Sequence, residues 1–138
     1  MELTRRNAIL LGASALLVAG LPIHATASTD DAIAAFTGGA EVGEGDITLT
    51  APEIAENGNT VPIEVSSETA VEIMVLATGN PTPAVATFKF GKLAASRSAS
   101  TRIRLAGTQD VVAIAKLEDG SFVQATSAVK VTIGGCGG

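Results

Sequence analysis

The chain holds one cysteine, one histidine, no tryptophan and no tyrosine, so it is poor in the side chains that build most metal sites and acid–base pairs. The histidine is His24, in an N-terminal segment with the marks of a cleaved export signal, and the processed chain is expected to have none. A Ser-His-Asp or Cys-His pair is then impossible within it. No His/Cys cluster remains to ligate zinc, haem or copper, and no metal or cofactor is expected. The carboxylates show no pair that stands out by spacing. One cysteine cannot close a disulfide within its own chain, so its thiol is free, blocked or bonded to another molecule. These scarcities point away from an enzyme.

The signal has three parts. Thr4-Arg5-Arg6-Asn7 is polar with adjacent arginines, and an apolar run follows from Ala8 to Ile23. Ala25-Thr26-Ala27 is an A-x-A cleavage site, with Ser28 as the expected first mature residue. The run suits a signal better than a membrane span. The arginine pair looks like a twin-arginine signal, although Ala8 stands where phenylalanine is common; an ordinary secretory signal with two arginines is the alternative. Either route predicts a periplasmic protein. Taking Arg5, Arg6 and Glu2 from nine basic and fourteen acidic residues leaves seven and thirteen, a net charge of −6. That balance argues against nucleic acid and anionic membranes as partners. Residues 28–138 suit one compact domain, which without a disulfide must rely on its core.

After the signal, Ser28-Thr29-Asp30-Asp31 predicts a capped helical turn or two, with Ile33 and Phe36 on one face and Gly38-Gly39 as the stop. Strands are expected at 46–50, 60–65, 71–77, 86–90, 101–105, 111–117 and about 122–133. Asn57-Gly58 and Glu118-Asp119-Gly120 supply turns, Asn80-Pro81-Thr82-Pro83 a stiff loop, and Pro62 belongs at an edge or bulge. About seven short strands predict an all-β, immunoglobulin-like antiparallel sandwich, without the disulfide and tryptophan of antibody domains. Residues 71–77 and 111–117 are apolar on both faces, which half-buried strands are not. Either a partner sheet or the N-terminal helix and long loops must cover the second face. Arg102 and Arg104 share one face of their strand, which fits an anion site or, more simply, a solvated face or rim ion pair.

The chain ends Gly134-Gly135-Cys136-Gly137-Gly138. Four glycines without side-chain bulk make residues 134–138 a flexible arm, and Cys136 a handle on it. Three extended residues carry the thiol roughly 10 Å beyond the last strand. No base adjoins it and the C-terminal carboxylate disfavours the thiolate, so from a pKa of about 8.5 only a few per cent ionises at neutral pH. Such a thiol suits a carrier loaded by other enzymes better than a catalytic nucleophile. The position is wrong for lipidation: a lipoprotein cysteine follows the signal directly, and prenylation needs cysteine fourth from the end. An exported structural or adhesive module crosslinked by a Cys136–Cys136 disulfide is the rival reading.

The runs Ala51–Pro62, Asn80–Pro83, Thr101–Ala106 and Val112–Lys116, with the ending Val131–Gly138, together resemble the SoxY family of the bacterial thiosulfate-oxidising (Sox) system. The resemblance spans the whole mature chain, and its specific part is the Gly-Gly-Cys-Gly-Gly terminus. It implies a carrier domain over residues 28–133, paired with a SoxZ-type β-sandwich subunit, and Cys136 as the attachment point for sulfur intermediates. It further implies a c-type cytochrome that joins thiosulfate to the cysteine, a thiosulfohydrolase that releases sulfate, and a sulfur dehydrogenase for the remaining sulfane. Under this reading Gly135→Val or Gly137→Val blocks delivery to partner enzymes and leaves folding intact. Normal turnover with those enzymes after either change would refute the arm.

Overall fold

A computed structural model describes residues 28–134. The expected signal, with His24, and Gly135, Cys136, Gly137 and Gly138 lie outside the described residues.

Helix α1 spans Thr29–Thr37. Ser28 caps it: its hydroxyl accepts from the Asp31 amide, and the Asp31 carboxylate accepts from the Ser28 N–H. Gly38 ends it at φ 67°, a left-handed conformation that a side chain resists, and donates its N–H to the Ala34 carbonyl.

Nine strands follow among the described residues: β1 Val42–Gly43, β2 Thr48–Thr50, β3 Ile54–Ala55, β4 Val61–Ser66, β5 Ala70–Ala77, β6 Ala84–Lys89, β7 Ser98–Ile103, β8 Gln109–Leu117 and β9 Phe122–Val131. They form a large sheet ordered β1-β9-β8-β5-β6 and a small one ordered β2-β4-β7, with β3 added to β9. The sandwich expectation holds, with two differences. There are nine strands rather than about seven, and β1 and β3 run parallel to β9 rather than antiparallel. Both extra strands are two residues long, too short for alternation to mark them.

The main core lies between the sheets. Val61, Ile63 and Val65 of β4, with Ile103 and Leu105, face Ile73, Val75, Val111, Ala113 and Val129 of the large sheet. On β4 the alternating Pro62 and Glu64 are exposed. Pro62 sits where β4 has passed the end of β2, so its missing N–H interrupts no ladder on that side.

A second, smaller core settles the question of the outer face. Met74, Leu76, Val112, Ile114 and Phe122 pack beneath Ala32, Ile33 and Phe36 of α1 and beneath Val42. The Phe36 and Phe122 rings meet edge to face, 5.7 Å between centroids. The helix is therefore the cover over this patch, and β5 and β8 read as continuous apolar runs because each is buried on both sides.

One carboxylate ties the loops at the far end. Asp46 Oδ2 accepts from the Ser67 hydroxyl at 2.9 Å, the Glu68 and Thr69 amides at 2.9 and 3.0 Å, and the Thr69 hydroxyl at 2.9 Å. Desolvation is the largest single influence on this carboxyl and pushes its pKa up. The four hydrogen bonds together outweigh it and hold the pKa below the usual carboxylate value.

Phe36→Ala removes the ring that closes the outer core. Because Phe36 is half-buried, the expected loss is about 2 kcal/mol, below the range for fully buried aromatic residues. Urea unfolding monitored by circular dichroism measures it; an unchanged midpoint would show that α1 does not stabilise the sheet.

Candidate functional site

The candidate site is the root from which the last residues leave the sandwich. The end of β9 is bonded on both flanks. On one side Lys130 N–H donates to the Glu53 carbonyl at 2.9 Å, and Thr132 N–H to the Ala55 carbonyl at 3.0 Å. The Thr132 hydroxyl reaches the Glu56 carbonyl at 3.1 Å. On the other side the Val131 N–H donates to the Thr108 hydroxyl at 3.0 Å. The final backbone bond runs from Gly58 N–H to the Ile133 carbonyl at 2.7 Å, and the Gly58 carbonyl in turn accepts from the Leu105 N–H at 2.7 Å. The Asn57-Gly58 turn thus sews the segment after β9 to the segment after β7. Among the described residues, backbone bonding continues two residues past β9, to Ile133.

At Gly134 a side chain has no room. A Cβ built on it would lie 2.6 Å from the Ala106 carbonyl oxygen, a distance that real Cβ atoms do not show. Glycine is needed here for close approach.

The surface that Gly134 meets is itself clamped. Asn80 is 93% buried, being only 7% exposed. Its amide nitrogen donates to the Arg104 carbonyl at 2.7 Å, and its amide oxygen accepts from the Ala106 N–H and from Gln109 Nε2, both at 2.9 Å. Gln109 completes the clamp: it donates to the Gly107 carbonyl at 3.0 Å, and its oxygen accepts from the Gly79 N–H at 2.8 Å. The 104–107 segment has no strand partner at these atoms, and a buried backbone group without one is costly. The stiff Asn80-Pro81-Thr82-Pro83 loop supplies that partner, a role that composition alone did not disclose.

Arg102 and Arg104 are exposed, with Ile103 and Leu105 buried between and after them, as their alternation predicts. Among the described residues the one ion pair joins Arg97 and Glu118, so neither Arg102 nor Arg104 is in a rim salt bridge. The described residues contain no group of three or more His, Cys, Asp or Glu able to hold a metal ion, and no helix among them is long and apolar enough to cross a membrane.

With this geometry in place, comparison with known proteins becomes informative. The family model for the sulfur oxidation protein SoxY matches residues 33–136. The chain belongs to the SoxY family. The matched span starts inside α1 and runs through the root to Cys136 itself. Among solved structures, the sulfur carrier protein SoxY from Chlorobium limicola f thiosulfatophilum is similar at 35% identity, over 79% of this chain and 100% of that one, with a TM-score of 0.66. A superoxide reductase (neelaredoxin) from Ignicoccus hospitalis is similar at 17% identity, over 75% of this chain and 93% of that one, with a TM-score of 0.56. At that identity the likeness is one of fold alone. Comparison with curated proteins yields no significant match.

Asn80→Ala strips two backbone groups of their only side-chain partner at the arm root. The expected cost is about 2–3 kcal/mol, read as a lower urea midpoint. An unchanged midpoint would show that water replaces the clamp without loss.

Proposed function

We propose that this chain is a periplasmic covalent carrier of sulfur intermediates in thiosulfate oxidation, exported through its 1–27 signal and loaded on Cys136. The observation that carries the reading is the family match running through residue 136, on a chain whose one cysteine lies three residues beyond the hydrogen-bonded Ile133. Residues 28–133 form the carrier domain, and the glycines at 134, 135, 137 and 138 let the thiol enter a narrow active site while the sandwich stays outside.

In this scheme thiosulfate is joined to the thiol: Cys136–SH and S2O3²⁻ give Cys136–S–S–SO3⁻, one proton and two electrons. A c-type cytochrome takes the electrons. Hydrolysis of the terminal sulfonate by a thiosulfohydrolase yields sulfate and leaves a Cys136 persulfide. A sulfur dehydrogenase or another route processes the remaining sulfane. The carrier itself is no enzyme. Its thiol, with no base beside it in sequence, is weakly nucleophilic until a partner activates it. A SoxZ-type β-sandwich subunit pairs with the chain, and a Cys136-linked dimer forms when the thiol meets another copy under oxidising conditions.

Intact mass of the processed protein from thiosulfate-grown cells tests the reading. A reductant-labile sulfur or thiosulfonate adduct on Cys136 is expected. Cys136→Ser should abolish thiosulfate-dependent electron transfer with fold and subunit pairing retained. A bare thiol, or a symmetric disulfide alone, during active thiosulfate oxidation would favour the crosslinked structural module instead.

A further inference from the structure

A net charge of −6 conceals a sharp division along the chain. From Ser28 to Glu72 there are ten carboxylates and no lysine or arginine. From Ile73 to Gln109 there are Lys89, Lys92, Arg97, Arg102 and Arg104 and no acid at all. The fold gathers this basic segment along one flank, because β6 ends the large sheet and β7 ends the small one. Arg97 is neutralised by Glu118. Arg102 and Arg104 line a cleft of about 430 Å³ together with Asn59, Asn80, Thr82 and Val85. The carboxylate across the strand pair, Glu64, accepts from the Ser100 hydroxyl at 3.2 Å rather than from Arg102. Arg102 Nη1 makes only a long contact, 3.4 Å, to the Thr60 hydroxyl.

This cleft adjoins the arm root on two sides. Gly58, bonded to Ile133, is followed directly by Asn59 of the cleft and then by Thr60, the partner of Arg102. Ala106, against which Gly134 packs, is two residues from Arg104. Two extended residues allow Cys136 to range at most about 7 Å from Gly134, the same bound that separates Arg104 from Ala106 along the chain. One further sulfur and a sulfonate on the thiol add roughly 5 Å of covalent bonds.

We propose that the Arg102–Arg104 cleft is an anion subsite that holds the terminal sulfonate of a thiosulfonate carried on Cys136. The assignment rests on the carrier reading above. Guanidinium forks present paired N–H donors that match the oxygens of a sulfonate. Exposed as they are, they bind a free anion only weakly, which accords with an acidic protein that does not concentrate thiosulfate. A short covalent tether changes the balance, since it supplies an effective concentration in the millimolar range. A site too weak for the free ion is then occupied by its own cargo. Hydrolysis of the sulfonate removes the ligand and releases the persulfide arm, so the loaded and unloaded carriers present different ends to partner enzymes.

The test uses the full exported chain and backbone NMR. Inorganic sulfate, then thiosulfate, is titrated into the Cys136→Ser protein. Shifts confined to Asn59, Thr82, Arg102 and Arg104 are expected, with millimolar affinity weakened about tenfold by combined Arg102→Gln and Arg104→Gln. Both arginines are exposed, so the double variant should melt as the parent does. Next, the wild-type thiol is treated with tetrathionate, which forms Cys136–S–S–SO3⁻ and expels thiosulfate. Loading should move the same four residues without added anion, and should not do so in the double variant. Shifts with sulfate but none on loading would mark an adventitious anion site only and overturn the proposal. No response in either arm would leave the arginines as solvated strand charges. Failure to find a Cys136 adduct in cells would instead sink the carrier reading, whatever the titration shows.

Discussion

Burial of both faces of the central β5–β8 pair is the constraint on which this structure depends. Ile73, Val75, Val111 and Ala113 need the small sheet on one side, and Met74, Leu76, Val112 and Ile114 need a cover on the other. A domain of this size has little spare core, so both demands must be met within the chain. Helix α1 answers the second with three side chains, and the Phe36–Phe122 contact fixes it to the first residue of β9. The same strand that receives the helix at its start is bonded at its end to the 53–58 segment and to Thr108.

The end of β9 is fixed from several directions. It is set by the Gly58–Ile133 bond, by the close approach of Gly134 to the Ala106 carbonyl, and by the Asn80–Gln109 clamp beneath it. Each bond comes from a different loop. The turn at Asn57-Gly58, the proline loop at 80–83 and the 104–109 connection converge on one point, although nearly fifty residues separate the first from the last. Arg102 and Arg104 are exposed near that point and form no ion pair among the described residues, so a charge pattern that looks incidental in the chain is concentrated in the fold.

Much of this was legible in advance. Alternation placed β4, β5, β8 and β9 closely, and the Ser28–Asp31 capping stretch with Gly38-Gly39 marked both ends of α1. The doubly apolar strands correctly announced a covered outer face but could not choose the cover, since periodicity reports burial and not its agent. β1 and β3 were missed because two residues carry no period, and their parallel pairing to β9 is visible only in space. The sequence shows Asn80 only as part of a stiff loop, and its clamp on residues 104–107 is a contact across 24 and 26 positions that no local rule reports.

By itself the sequence determined the chemistry available to this protein: a single thiol amid four glycines, a single histidine that lies within the expected signal, and strands whose side chains fit a sandwich. Those follow from residue identity and short-range periodicity, which need no neighbours to be read. Only the tertiary structure decided which loops bind the end of β9, that Gly134 has no room for a side chain, and that an acid-free stretch lies beside it on an otherwise acidic molecule. Each of these is a relation between residues far apart in the chain, and such relations exist only once the backbone's hydrogen bonds and the two cores have brought the segments together.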